Sequence, residues 1–220
     1  MTLETRSLGK TFLLQEREVV AVHDAELYLN PGEFCVLSGR SGSGKTTLIN
    51  LLAGLLHPST GTVRLDGTAL YDLPDAARAA FRRRHLSIIP QGDSLLRTLT
   101  VEENLLLPSV LAGRPASSTR LHEILELLEI DALAPLLPGA LSGGELKRAA
   151  VARALLSGCP TIFADEPTGD LDEARAARVT ELLADYAAQG HLVLVASHDP
   201  QVLHRAGRLF NMQQGVPIPA

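Results

Sequence analysis

Glu33-Phe34-Cys35-Val36-Leu37-Ser38 runs directly into Gly39-Arg40-Ser41-Gly42-Ser43-Gly44-Lys45-Thr46-Thr47, and then into Leu48, Leu51, Leu52 and Leu55 at helical spacing. A short apolar run, a glycine-rich stretch and a helix-period segment in that order predict a strand, a loop and a helix. The glycines let the backbone curl so that successive N–H groups point inward at one anion. The helix N-terminus adds a favourable dipole. This spacing is the phosphate-loop pattern. Gly39, Arg40, Ser41, Gly42, Ser43, Gly44 and Thr47 are the expected cradle. Lys45 is expected to reach the β- and γ-phosphates of a nucleotide, and the Thr46 hydroxyl to bind Mg2+.

Outward from this unit, strands and helices alternate. Leu86–Pro90, Thr161–Ala164 and Leu192–Ala196 are short apolar runs of buried-strand type, and the proline-led, alanine-rich stretch 74–84 predicts a helix. Such alternation argues for an α/β protein with a parallel sheet covered on both faces. The N-terminal third (2–8, 19–29 and 61–66) has the look of an antiparallel layer. From Thr100 to about Leu137 the periodicity is helical, punctuated by Pro108, Pro115, Pro135 and Pro138. We therefore expect one domain over residues 1–220. Its nucleotide-binding core comprises 1–91 and 146–220 together with the antiparallel layer, and 92–145 form an inserted helical subdomain.

Thr161-Ile162-Phe163-Ala164 ends in Asp165-Glu166-Pro167. Ligands of parallel α/β sheets bind at the carboxyl ends of the strands, which places this acidic pair beside the phosphate loop. Asp165 suits a Mg2+-associated role, usually through water. Glu166 is placed to polarise an attacking water. On an extended chain, adjacent residues point opposite ways and so divide the two tasks.

Leu141-Ser142-Gly143-Gly144-Glu145 presents a second candidate anion site: a good N-cap serine, two glycines permitting close approach, and a helix start over roughly 144–156. These residues, continued by Lys147-Arg148-Ala149-Ala150-Val151-Ala152-Arg153-Ala154-Leu155, resemble the signature motif of ATP-binding cassette proteins. The resemblance extends over essentially the whole chain, in that family's order and spacing. It implies a RecA-like phosphate-loop fold and a head-to-tail dimer, with a second copy or a homologous ATPase subunit, in which Ser142, Gly143, Gly144 and Glu145 of one subunit cover the γ-phosphate held by the other. It also implies a Mg2+- and γ-phosphate-sensing role for Gln91, a switch role for His198, and a trans-dimer communication loop at Asp170-Leu171-Asp172. Phe12 falls where the family places an aromatic that stacks on adenine; a core phenylalanine is the other reading of that residue. The implied reaction is in-line attack of water on the γ-phosphate of ATP. Glu166 would orient or deprotonate the water, His198 would hold it and the phosphate, and Lys45, Mg2+ and the opposite Ser142 would neutralise charge.

Glu166-Pro167-Thr168-Gly169-Asp170-Leu171-Asp172, together with Glu145, resembles the subgroup of lipoprotein-release, macrolide-export and cell-division ATPases. That subgroup implies an integral-membrane permease of FtsX or MacB type as partner, contacted by the region 95–108, and a site on the cytoplasmic face of the inner membrane. Three departures stand out. Leu146 and Lys147 occupy positions where the subgroup usually has glutamines, Asp170 stands where asparagine is usual, and Pro90 and Gly92 flank Gln91. The same residues would serve an ATP-gated regulatory module without transport. A soluble cassette ATPase of translation or DNA maintenance is a further alternative.

Bulk composition is compatible with this reading. The 220 residues are 45% hydrophobic and 20% charged, ordinary for a globular chain, and a net charge of −5 disfavours nucleic acid as a partner. Arg82-Arg83-Arg84-His85, the single basic run, reads as a solvated helix end in preference to an anionic-lipid or nucleic-acid contact. The two cysteines, Cys35 and Cys159, lie far apart in apolar stretches and lack metal-ligand spacing. They read as small buried hydrophobes in a reducing compartment. The start of the chain lacks the apolar core of a signal peptide, and no stretch approaches the roughly 20 apolar residues of a membrane span.

Overall fold

The computed structural model describes residues 1–15 and 17–220, with Leu14 through its backbone only. Strands β1 (Leu3–Leu14), β2 (Arg17–Ala25), β3 (Tyr28–Leu29) and β4 (Phe34–Ser38) are followed by α1 (Lys45–Leu52), β5 (Thr60–Leu65), β6 (Thr68–Ala69), α2 (Asp75–His85) and β7 (Leu86–Ile89). The middle of the chain is helical: α3 (Val101–Leu111), α4 (Ser118–Leu127), two short 3-10 turns, and α5 (Gly143–Leu156). Then come β8 (Thr161–Asp165), α6 (Glu173–Ala188), β9 (Leu192–Ala196), α7 (Pro200–His204), β10 (Arg208–Gln213) and β11 (Val216–Pro219).

The central sheet has the order β11-β10-β4-β9-β8-β7. Its strands from β10 to β7 are all parallel, and β11 turns back antiparallel at the edge. Strands β8 and β9 are buried at every position, as strands sandwiched between two layers must be. The period-2 geometry of a strand sorts their side chains. Phe34, Val36, Ile162, Ala164, Val193 and Val195 enter one apolar cluster with the helical layer. Cys35, Leu37, Phe163, Leu192, Leu194 and Ala196 enter another, with α1 and the N-terminal strands. One sheet thus serves two cores. The second core is closed by the antiparallel sheet β2-β1-β5-β6, to which β3 adds on β1.

The antiparallel N-terminal layer, the parallel core and the helical middle agree with the expectations from sequence. Helix α5 begins within the helical middle and continues into the core, so a boundary at 145/146 falls inside one helix. Both cysteines are buried and unpaired. The basic run closes α2, where Arg82 donates to the Gly54 carbonyl oxygen (2.9 Å) while Arg83 and Arg84 are exposed.

Helices α3 to α7 each start at a side-chain cap. Thr100 and Glu103 form a reciprocal capping box at α3, and Ser142 and Glu145 form another at α5. Among the described residues, no helix is long and apolar enough to cross a membrane.

Candidate functional site

Parallel strands bring their carboxyl ends to one edge of the sheet, and that edge gathers the chemistry. Leu37 of β4, Asp165 of β8 and Ala196 of β9 stand level in the ladder. The segments leaving these strands, with the turn after β7, deliver the phosphate loop, Glu166, His198 and Gln91 to one cleft. The cleft has a volume of about 730 Å3 and is lined by the whole loop from Gly39 to Thr47, by Gln91, Lys147, Asp165, Glu166, Gly169, Asp170 and His198, and by Val19, Val20 and Ala21 of β2.

The loop is shaped by its glycines. Gly44, the N-cap of α1, has φ +103°, and a Cβ there would lie 2.1 Å from the Ala21 carbonyl oxygen. Only glycine meets both constraints. Lys45 Nζ donates to the carbonyl oxygens of Gly39 (2.7 Å) and Arg40 (3.2 Å), lying across its own loop. The Ser43 hydroxyl is buried in the loop without a hydrogen-bond partner among the described residues, as expected of a cradle built for an outside ligand.

The Thr46 hydroxyl donates to Asp165 Oδ2 at 2.6 Å. Burial pushes the Asp165 carboxyl above its ordinary value, and the neighbouring Glu166 adds to the rise. The Thr46 hydrogen bond and the Lys45 and Lys147 cations pull the other way. A hydroxyl, a carboxylate and the side chain of Gln91 are hard oxygen donors. Mg2+ takes few protein ligands and fills its octahedron with water and substrate phosphate, so this sparse oxygen set fits it. Among the described residues, no group of three or more His, Cys, Asp or Glu forms a metal cage.

Glu166 differs from the expectation of an extended acidic pair. Strand β8 ends at Asp165, and Glu166 has φ +49°, in the left-handed region. Its amide donates to the Ala196 carbonyl oxygen at 2.8 Å, which holds it there. A left-handed non-glycine residue costs on the order of 1–3 kcal/mol, and such strain clusters at functional sites. The carboxylate is fixed at both oxygens. His198 Nδ1 lies 2.9 Å from Oε1, and the Ser197 hydroxyl donates to Oε2 at 3.2 Å. The Glu166 side chain is 14% exposed and that of His198 80% exposed, so the imidazole is the more solvent-exposed partner of a pair whose two members both line the cleft.

The other predicted residues fall into two groups. Ser142, Gly143, Gly144, Glu145 and Asp172 line a separate groove of about 580 Å3, with Arg148, Asp170, Leu171 and Arg175. Among the described residues, Asp170 alone lines both this groove and the phosphate cleft. Glu145 Oε2 accepts from the Ser142 amide (2.7 Å) and hydroxyl (2.7 Å), and these bonds hold its carboxyl below the usual range. Asp172 caps α6 and pairs with Arg175. It therefore lies with the signature and away from the phosphate loop. Phe12 is half-buried on β1, opposite Val19, with the Lys10 ammonium 5.2 Å from its ring centroid. The cleft wall nearest to it is formed by Val19, Val20 and Ala21 of β2.

Sequence reasoning missed Ser197, which follows β9 and steadies Glu166, and Lys147, whose side chain enters the cleft from α5. Ser197 precedes a flagged histidine, and that adjacency was the available signal. Lys147 stood out only as a departure from the expected glutamine.

Comparison with known proteins gives a consistent picture. The sequence profile of the family described as ABC transporter matches residues 22–169. The macrolide export ATP-binding/permease protein MacB of Hahella chejuensis is 39% identical over 97% of this chain, which spans 33% of that relative. The lipoprotein-releasing system ATP-binding protein LolD of Chromohalobacter salexigens is 36% identical over 97% of this chain and 91% of its own length. The chain thus spans about a third of its MacB-type relatives but nearly all of LolD. Among solved structures, a dimeric post-hydrolysis state of the ATP-binding cassette MJ0796, bound to ADP and phosphate, superposes with a TM-score of 0.92 at 32% identity. That match covers 98% of this chain and 96% of the other.

Proposed function

Because the chain belongs to the ATP-binding cassette (ABC) transporter family, we propose that it is an ATP-hydrolysing subunit that acts as a head-to-tail dimer and drives conformational change in a membrane permease. The observation that carries this reading is the division of the site. The phosphate cleft and the signature groove are separate within one chain and, among the described residues, share only Asp170. Each half is completed by the opposite half of a second copy.

ATP binds with its phosphates in the loop 39–47, where inward N–H groups, the α1 N-terminus and Lys45 meet the negative charge. Phe12 and the β2 wall receive the base. Thr46, Asp165 and Gln91 would hold Mg2+, which when bound would supply positive charge against the phosphates. Glu166 accepts a proton from the attacking water as the new P–O bond forms and the bond to ADP breaks. His198, with Nδ1 engaged by Glu166, keeps Nε2 for the γ-phosphate. Ser142 and the α5 N-terminus of the second copy face the γ-phosphate from the other side. Closure on ATP and opening after hydrolysis turn nucleotide state into motion. This motion is delivered at the cytoplasmic face of the membrane to a permease of the type serving macrolide export or lipoprotein release. An ATP-gated regulatory role on such a permease uses the same residues.

A site shared between two chains has a kinetic signature. Phosphate release from Mg-ATP by dilute protein rises with the square of chain concentration and becomes linear once the dimer is saturated. Turnover strictly proportional to concentration, from a species that stays monomeric at saturating Mg-ATP, would overturn the shared site and leave single-chain hydrolysis.

A further inference from the structure

We propose that Lys147 is a positioning residue of the ATPase site: it anchors the turn carrying Gln91 to the signature helix and sets a fixed positive charge opposite the acidic side of the cleft. The inference rests on the ATPase reading above and goes beyond it, since no role there falls to Lys147.

Lys147 lies just past the first turn of α5 and is 8% exposed. Its ammonium donates to the carbonyl oxygens of Gln91 at 2.8 Å and Pro90 at 3.5 Å, across 56 residues of sequence. The start of the same helix, Ser142 to Gly144, faces the other groove. Helix α5 therefore touches two nucleotide positions, its own chain's through Lys147 and Gln91, and the opposite chain's through the signature. A shift of the Gln91 turn moves the signature with it.

The carbonyl bonds do not by themselves require a lysine. Glutamine can donate to the same oxygens without burying a charge, and burying an ammonium is unfavourable unless opposite charges compensate. Burial holds the Lys147 ammonium below its ordinary value, and Asp170, Asp165, Glu166 and Asp93 offset part of that as opposing charges. What lysine adds over glutamine is thus a cation on the side of the site that receives the divalent metal. Like charges repel, so this cation weakens metal binding and makes it depend on the negative charge that the nucleotide brings.

Three substitutions separate anchor from charge. Lys147→Arg keeps both, Lys147→Gln keeps the donor alone, and Lys147→Met removes both. The direct measurement is Mn2+ binding to the chain loaded with a non-hydrolysable ATP analogue, followed by the electron paramagnetic resonance of free Mn2+. Neutralising the charge while keeping the donor, in Lys147→Gln, tightens Mn2+ binding by about three- to tenfold, and the Arg variant stays near wild type. Steady-state turnover reads the anchor. Lys147→Met lowers kcat by roughly tenfold or more with KM for ATP within about twofold, and Lys147→Gln loses less.

Unchanged Mn2+ affinity in Lys147→Gln, or the same shift in Lys147→Arg, overturns the charge role. A raised KM at unchanged kcat in Lys147→Met overturns the anchoring role. Should the Met variant fail to fold, the Gln and Arg variants still decide the charge. A wild-type chain that binds no ATP analogue refutes the ATPase reading itself, a result distinct from any of these.

Discussion

Glu166→Gln lowers phosphate release by about a hundredfold to a thousandfold while leaving ATP binding in place. The substitution is nearly isosteric, and the amide oxygen can still accept from Ser197, which donates 3.2 Å away in the native site. What disappears is the ability to take a proton from water. The left-handed backbone at position 166 is held by the amide bond to Ala196 and does not depend on the carboxylate. With hydrolysis blocked and the triphosphate retained, the closed dimer accumulates. Size-exclusion chromatography in saturating Mg-ATP therefore gives a species of twice the chain mass, and phosphate assays give near-background turnover. Retained turnover would remove Glu166 as the base, and a persistent monomer would remove the head-to-tail arrangement. The trapped dimer is also the form with which to capture the permease from detergent-solubilised membranes of the native source. Recovery of ribosomes or DNA-associated proteins in its place would refute the transport role while leaving hydrolysis intact.

Lys45→Met weakens ATP binding by about ten- to a hundredfold and brings turnover to background, in keeping with the loss of a hydrogen bond to a charged group of about 1.5–3 kcal/mol. Lys45 is 9% exposed, and its ammonium rests on the Gly39 and Arg40 carbonyl oxygens at 2.7 and 3.2 Å. Methionine keeps an unbranched stem of similar length, so packing against α1 is largely preserved while the charge is lost. Calorimetric titration with ATP reads the affinity directly, and a thermal melt establishes that the variant is folded. A folded variant with wild-type affinity would show that the loop amides bind the phosphates unaided.

The two sites differ in how far they could be read from sequence. The phosphate loop is local: its glycines, lysine and threonine sit within a few residues, and their geometry follows from backbone sterics alone. Strands β8 and β9 were legible because burial on both faces leaves an unbroken apolar run. Strand β10, Arg-Leu-Phe-Asn-Met-Gln, escaped because only its inward positions, Phe210 and Met212, are buried. Such alternation in so short a stretch is easily taken for loop. Helix α6 carried a readable stripe, with Ala176, Val179, Thr180, Leu183, Tyr186 and Ala187 buried, but it lay beyond the motifs that drew the reading. The conformation of Glu166 was not legible at all, because it depends on a carbonyl oxygen of a strand some 30 residues later. The meeting of Lys147 with the Gln91 turn depends likewise on the packing of α5 beside β7, which no spacing encodes.

The sorting of β4, β8 and β9 between two apolar clusters has a consequence for how the chain tolerates length changes. In a sheet with one wet face, a one-residue insertion exchanges core side chains for surface ones. Here it would exchange two interiors. Cys35 and Leu37 would trade places with Phe34 and Val36, so that each interior received volumes shaped for the other. The same slip would carry Asp165 or the start of the phosphate loop off the sheet edge where they meet. Length changes should therefore be tolerated in the crossovers between these strands, and in the longest of them the stretch before α5 is where the chain has room to vary while the cleft stays intact.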